Sequence, residues 1–387
     1  MKYRENMIRR AVLHVLVSML LCSCGSSGQE KTTAAAGLSD VGKPVISTQP
    51  VGTQPPATTP EETTPEEPAP TVAVTDPAWQ LKDTEMYSLL TGLPIDAQVG
   101  SMRPIAMMLS NSRAALPQCG ISSAGIIYET PMEGGEMRFE AVFEDYASLS
   151  RIGSVRSARM YHPMLAAEHN AIFIHFGHNI YAEDLLAQID HIDGVGRYGD
   201  KTFYRTDDRK APHNAFTTPE LMEKGMTAAG FSREETDLSR GKLLFVDAGT
   251  RRDMSAAAQA VTVRLPYSSN KPWFEYNAET NKYDRFQYDG VQKDGLTGEQ
   301  LSVTNIIIQN CDYNMEEDNY THNIHLVGSG KGYYITEGRM IPITWEKKSD
   351  LGMTRYYEES GRELRVNRGT TWICLVLPKS TGAAVIE

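Results

Sequence analysis

A break in composition at Trp79 limits what this chain can fold into. Between Gly25 and Ala78 there is no Phe, Trp or Tyr, and Thr, Pro, Ala, Ser and Glu dominate, as in the run from Thr58 to Pro70. Such a segment cannot bury enough apolar surface to offset the entropy of ordering it, so it reads as a disordered tether, partly extended by its prolines. Any hydrophobic core must come from the roughly 310 residues after the break, enough for one large domain or two ordinary ones.

The residues ahead of the tether indicate a location. Lys2, Arg4, Arg9 and Arg10 precede an apolar run over residues 11–21, interrupted by His14 and Ser18. This is the pattern of an export signal, too short to span a bilayer as a stable helix. The run ends in Leu21-Cys22-Ser23-Cys24-Gly25, which resembles a bacterial lipobox. That resemblance implies cleavage after Ser23 and lipidation of Cys24; choosing Cys22 would put the bulky Leu21 at the cleavage position. The expected plan is a signal peptide over 1–23, a tether over 24–80 and folded segments over 81–240 and 258–387. The protein would be anchored by lipid to the cell membrane on its extracytoplasmic face. A formal net charge of −11 argues against nucleic acid as a partner. Cys119, Cys311 and Cys374 are too few, and odd in number, for a disulfide framework. Cys311 and Cys374 lie beside strand-like runs where free buried cysteine is the commoner state, and whether they pair stays open.

Hydrophobic periodicity divides the folded part in two. In the first half, residues 104–109, 126–128, 137–146 and 171–176 read as strands, while 158–169 and 182–189 read as helices. Thr218, Pro219 and Glu220 form a helix start: cap, first helical residue and a first-turn acid that suits the helix dipole. Strands alternating with helices predict a layered α/β domain. In the second half, short strand-like runs at 261–265, 273–276, 285–288, 303–308, 333–335, 341–345, 355–357 and 372–377 are separated by turn signals such as Asp289-Gly290 and Glu337-Gly338. That spacing predicts a β-rich antiparallel domain, so the fold class is α+β, with the boundary in 237–258.

Six of the nine histidines and a run of arginines fall between residues 133 and 214. Three segments carry them: Glu133-Gly-Gly-Glu-Met-Arg138, Arg151-Ile-Gly-Ser-Val-Arg156-Ser-Ala-Arg159 and Arg209-Lys-Ala-Pro-His213-Asn214. These segments, with Thr91-Gly-Leu-Pro, Tyr128-Glu129 and His175-Phe-Gly, resemble the N-terminal domain of the YerB-like bacterial lipoproteins. Pro266-Tyr-Ser-Ser, Gly298-Glu-Gln-Leu, Gly328-Ser-Gly330, Trp345-Glu-Lys-Lys and Gly369-Thr-Thr-Trp372 resemble that family's second domain. The resemblance implies an exported, lipid-anchored, two-part protein and supplies no activity. Ser154 departs from it, standing where the family more often has proline.

Three kinds of chemistry compete for the arginine-rich stretch. An anion site would use Arg138, Arg156, Ser157, Arg159, Arg209, His213 and Asn214, because the guanidinium fork grips phosphate or carboxylate with paired bonds. Arg156 and Arg159 are three apart, so on the first turn of a helix they would share a face. The ligand would be an anionic cell-envelope component. The competing structural reading pairs the arginines with Glu129, Glu133, Glu136, Asp207 and Asp208. An envelope enzyme acting on a phosphate-containing substrate would add Glu133 or Glu136 as base and His175 or His213 as acid–base partner. A metal site could draw on His162, His169, His175, His178, His191 and His213, but no HExxH motif or cysteine pair accompanies them, and the expectation is neither metal nor cofactor. A scaffold that recruits another envelope protein needs no pocket. On this reading a binding role outranks catalysis. The aromatic run Trp273, Tyr276, Tyr283, Phe286 and Tyr288 reads as cross-strand packing, and acidic Asp312 to Asn319 as a solvated loop.

Overall fold

The computed structural model describes residues 69–74, 79–235, 238 and 241–387. Cys24, the signal peptide and nearly all of the tether lie outside the described residues. The strands that position the candidate site are β1 (Ile105–Ser110), β2 (Ile126–Pro131), β3 (Met137–Phe143), β4 (Ile172–His175) and β5 (His191–Asp193). From the second half come β6 (Trp273–Asn277), β7 (Lys282–Gln287), β8 (Asn305–Asn310), β9 (Gly328–Thr336), β10 (Arg339–Lys347) and β11 (Thr371–Val376).

Nine of these strands form one sheet in the order β10-β9-β8-β11-β2-β3-β1-β4-β5, with Ala258–Gln259 and Thr354–Glu358 added beside β10. The first half is α/β in character and the second is β-rich, as the sequence patterns predict. Both contribute to the same sheet. Strand β11, near the end of the chain, runs parallel between β8 and β2, pairing Thr371 with Ile126 and Cys374 with Glu129. Strand β3 is antiparallel to both its neighbours, and β1, β4 and β5 are mutually parallel. Hence β8, β11, β2, β1, β4 and β5 all point one way, and their carboxyl ends share an edge.

Strands β1, β2, β3, β4 and β11 are buried along their whole length. Side chains alternate between faces with period two, so each strand feeds two cores. One holds Ile127, Phe139, Ala141, Trp372 and Cys374, covered by Phe274 and Tyr283 of the β6–β7 hairpin. The other holds Tyr128, Val142, Phe173, Ile373 and Leu375, covered by Leu165 and Ala166 of helix α1 (His162–Ala167). Each fully buried large side chain contributes roughly 1.5–3 kcal/mol, so two-sided burial makes this sheet the frame of the molecule. In the hairpin, Trp273 stacks on Phe286 and Tyr276 packs on Tyr283 directly across the strands. Cys119, Cys311 and Cys374 are free and buried.

Helix α2 (Pro219–Ala229) starts as its sequence dictates. The Thr218 hydroxyl accepts from the Leu221 N–H at 3.3 Å, and the helix ends at Gly230, whose φ of +77° is a left-handed turn that glycine adopts freely. The first helix corrects an expectation: α1 spans His162–Ala167 rather than 158–169. The N–H groups of Arg156 and Ala158 are taken by the Met108 and Gly177 carbonyls, so residues 156–158 are extended, and Pro163 sits in the first helical turn. Arg156 and Arg159 therefore lie ahead of the helix and not on its first turn. The second predicted helix is also shorter, Glu183–Leu186.

Candidate functional site

The carboxyl edge of the parallel strands gathers the residue types singled out in the sequence. Strand β1 ends at Ser110, β2 at Pro131, β4 at His175 and β5 at Asp193, and antiparallel β3 begins there at Met137, with Arg138 its second residue. Arg138 pairs in register with both Ser110 and Thr130. The segment from Ser154 to Arg159 crosses this edge. It is pinned by Ser110 N–H to the Ser154 carbonyl at 3.0 Å, Arg156 N–H to Met108 at 3.0 Å and Phe176 N–H to Arg156 at 2.9 Å. In open α/β sheets this edge is where ligands bind.

Three guanidinium groups meet here with one carboxylate in contact. Arg159 grips Glu133 with two nitrogens, Nε at 2.9 Å and Nη2 at 2.8 Å, and the His322 N–H adds a contact to Glu133 at 3.3 Å. Burial opposes ionisation of Glu133, but its hydrogen bonds to Arg159 and that cation's charge outweigh it, leaving its pKa below the ordinary value. Arg138 is 6% exposed and donates to the Ser157 carbonyl. Burial, then the charges of Arg159 and Arg156, lower its pKa to about 10. Arg156 is half-buried, donates to the Pro212 carbonyl at 3.5 Å and has a lowered pKa, chiefly through burial. Among the described residues, no carboxylate lies within ion-pair distance of Arg138 or Arg156. His213 joins this group: its Nδ1 is 3.1 Å from the Ser112 hydroxyl, and burial followed by Arg156 lowers its pKa.

Other predicted site residues have different work. Ser157 supplies its carbonyl. The Arg209 guanidinium holds the Ala115 and Pro117 carbonyls at 2.5 and 2.8 Å and lies over the Phe216 ring, so it ties a loop down. Asn214 accepts from Arg205 and donates to the Thr206 carbonyl. The acid-pairing alternative holds for Arg159 among the three central arginines; Glu129 belongs to Arg285 and Asp208 lies nearest Arg151 and Arg209. Of the candidate acid–base residues, Glu133 is engaged by Arg159 and Glu136 is exposed. His175 uses both ring nitrogens, on the Gly177 carbonyl at 2.9 Å and on His191 at 3.0 Å, and burial lowers its pKa to about 4, so it is neutral at pH 7. In the acidic loop, Asp318 accepts from Tyr320 and Thr321, closing a turn between short paired strands, Tyr313–Met315 and His322–Ile324.

Several buried ion pairs and one buried acid escaped the sequence reading. Glu129 and Arg285, both fully buried, form a two-bond pair at 2.8 and 2.9 Å on one face of the sheet, with the Trp372 N–H on Glu129 at 3.1 Å. On the other face, Glu168 accepts from Lys242, from Lys347 at 2.9 Å and from Thr354 at 2.6 Å, and Lys242 also donates to the Tyr128 hydroxyl at 2.7 Å. Glu140, on the same face, is fully buried with neither carboxylate oxygen hydrogen-bonded within the protein. Burial, reinforced by Glu168, raises its pKa well above the ordinary value, with Lys242 opposing. An acid raised on folding destabilises the native state increasingly as pH climbs above its unfolded value, near 4.3. Glu140→Gln is therefore expected to melt at a higher temperature than the parent protein at pH 7 and to converge with it below about pH 4.3. A melting difference independent of pH would contradict that account.

Comparisons with known proteins follow this division of the chain. The N-terminal domain of a family described as protein of unknown function (DUF3048) matches residues 90–232, and its C-terminal domain matches residues 261–373. A curated Bacillus subtilis (strain 168) relative, YerB, named as a candidate lipoprotein, is 29% identical over 311 residues, 79% of this chain and 88% of the relative. The crystal structure of the YerB protein from Bacillus subtilis superposes with a TM-score of 0.68 at 28% identity, covering 78% of this chain and 99% of that one. Among the described residues, no helix is long and apolar enough to cross a membrane.

Proposed function

This chain belongs to the DUF3048 family, whose N- and C-terminal domains it carries in order, and from that premise we propose that it is an envelope lipoprotein which binds an anionic ligand through Arg138, Arg156, Arg159 and His213. The lipobox-like Leu21 to Cys24 and the likeness to a relative named as a candidate lipoprotein support anchoring through Cys24 at the extracytoplasmic face. One observation carries the binding reading: three guanidinium groups share a single contacting carboxylate, and the exposed Glu136 acts on Arg156 only through its charge, without an ion-pair contact. A phosphate or carboxylate entering that cluster would relieve the repulsion and gain charge-assisted hydrogen bonds. The ligand class is an envelope component bearing such groups.

Calorimetric titration of the full chain in detergent with a poly(glycerol phosphate) polymer, and separately with inorganic phosphate, tests this. Saturable binding is expected, weakened about tenfold or more in Arg156→Gln and in Arg138→Met, because losing one charge-assisted hydrogen bond removes roughly 1.5–3 kcal/mol. Loss of affinity for the polymer alone would assign the site to a chain of phosphates, and loss for both probes to a single group. Absence of binding to either probe, or unchanged affinity in both variants, would overturn the proposal.

A further inference from the structure

We propose that His175, His178 and Asp193 form a binding site for a divalent transition cation of the zinc class. Parallel pairing of β4 with β5 sets His175 directly beside Asp193, each the last residue of its strand. His178 follows one turn later, past Gly177, and its Nδ1 lies 2.9 Å from Oδ2 of Asp193. One ligand atom from each of the three residues lies within 4.8 Å of the others. Zinc bonds nitrogen and oxygen at about 2.0–2.2 Å, so neighbouring ligands of a tetrahedral ion stand roughly 3.3 Å apart. The His178–Asp193 separation is already close to such an edge. Closing the widest gap takes a movement of at most roughly 1.5 Å, and His178 lies on a loop with about a quarter of its side chain exposed.

The surroundings orient these groups as a ligand set requires. Oδ1 of Asp193 accepts the Gly177 and Val195 N–H groups at 2.6 and 2.9 Å, which leaves Oδ2 facing His178. His175 Nδ1 donates to the Gly177 carbonyl, which leaves the lone pair on Nε2, and a cation bound there would take the place of His191 while the Gly177 bond is kept. Ligating histidines are ordinarily held in this way by a second hydrogen bond. Two imidazoles and a carboxylate suit zinc and its neighbours in the transition series better than magnesium or calcium, which favour all-oxygen sets. Three protein ligands leave a coordination position open to water or to a bound anion. The site adjoins the arginine segment, because the Ala158 N–H binds the Gly177 carbonyl, but it stands on its own geometry and does not depend on anion binding. The sequence motif was hidden because Asp193 is 15 residues from His178 and reaches it through strand pairing.

The test is calorimetric titration of ZnCl2 into the full chain in detergent after dialysis against EDTA, with circular dichroism on every variant. The expected result is one zinc bound per chain, weakened at least about tenfold by His178→Ala and by Asp193→Asn, and unchanged by His325→Ala, an exposed histidine outside the cluster. Parallel titration with MgCl2 should give no saturable binding. If Asp193→Asn loses its fold, the partly exposed His178→Ala decides alone. Zinc binding that is absent, or equal in the parent and His178→Ala proteins, overturns the proposal. Equal affinity for magnesium overturns the zinc-class assignment.

Discussion

Glu168→Ala is expected to lower the unfolding free energy by about 3–5 kcal/mol, the usual penalty for leaving buried charge without its counter-ion. Lys242 and Lys347 both end on this one carboxylate, and both are almost wholly buried. Removing it would leave two ammonium groups facing each other beneath α1. Burial alone would raise the Glu168 pKa, but the charges of Lys242 and Lys347 and the bonds from Lys242 and Thr354 lower it to about 2. Burial also lowers the Lys242 pKa against the pull of Glu168. The hydrogen-bond donors converging on Glu168 decide for the ionised arrangement. An acid depressed on folding contributes stability above its unfolded value, near 4.3, and loses it as pH falls through the folded one. Urea unfolding of the parent protein should therefore weaken between about pH 4.3 and pH 2 by an amount absent from Glu168→Gln. A Glu168→Ala protein within 1 kcal/mol of the parent would show that water already screens these lysines.

Arg285→Ala should be comparably severe, at about 3–5 kcal/mol, for a different geometric reason. The Arg285 guanidinium lies against the Phe274 and Trp372 rings, 4.5 and 4.7 Å from their centres. Its loss removes the counter-ion of fully buried Glu129 and opens a cavity beside two aromatic rings. Burial raises the Glu129 pKa while Arg285 and the Trp372 N–H oppose it, so the pair balances a large desolvation cost against its attraction. A Glu129→Leu/Arg285→Met double variant should then recover most of the stability lost in either single variant, because well-packed apolar replacements of buried pairs are often neutral or better. Chemical denaturation of the four proteins in one cycle measures the coupling. Additive losses in the double variant would refute it.

These two clusters mark the limit of what the sequence made legible. Continuous apolar runs revealed β1 and β4, alternation revealed β3, and the Thr218-Pro219 start revealed α2, because these signals are local. Clustering of arginine, histidine and glutamate located one edge of the sheet, because Arg138, Arg156 and the loop ending at His213 are all brought there. Partners were not legible. Glu129 and Arg285 are 156 residues apart, and Glu168 and Lys347 are 179. A period of two assigns a residue to a face without saying which strand lies next to it. Asp193 was missed for the same reason, and Glu140 because a buried acid within an alternating strand has the same pattern as an exposed one. The error in α1 was local: Pro163 favoured a start at His162, but the apolar period ran on through Ala158, whose N–H is committed to Gly177.

The insertion of β11 beside β2 has a consequence for how this protein can be inherited and made. A cut in the connection between the two matched regions would strip β2 of its partner on one side and β11 on the other. Each fragment would carry a fully buried, apolar strand with a bare row of peptide groups, a surface that recruits any other strand it meets. The two matched regions are therefore halves of one folding unit. Either half produced alone is therefore expected to aggregate, and recombination is expected to keep the two together.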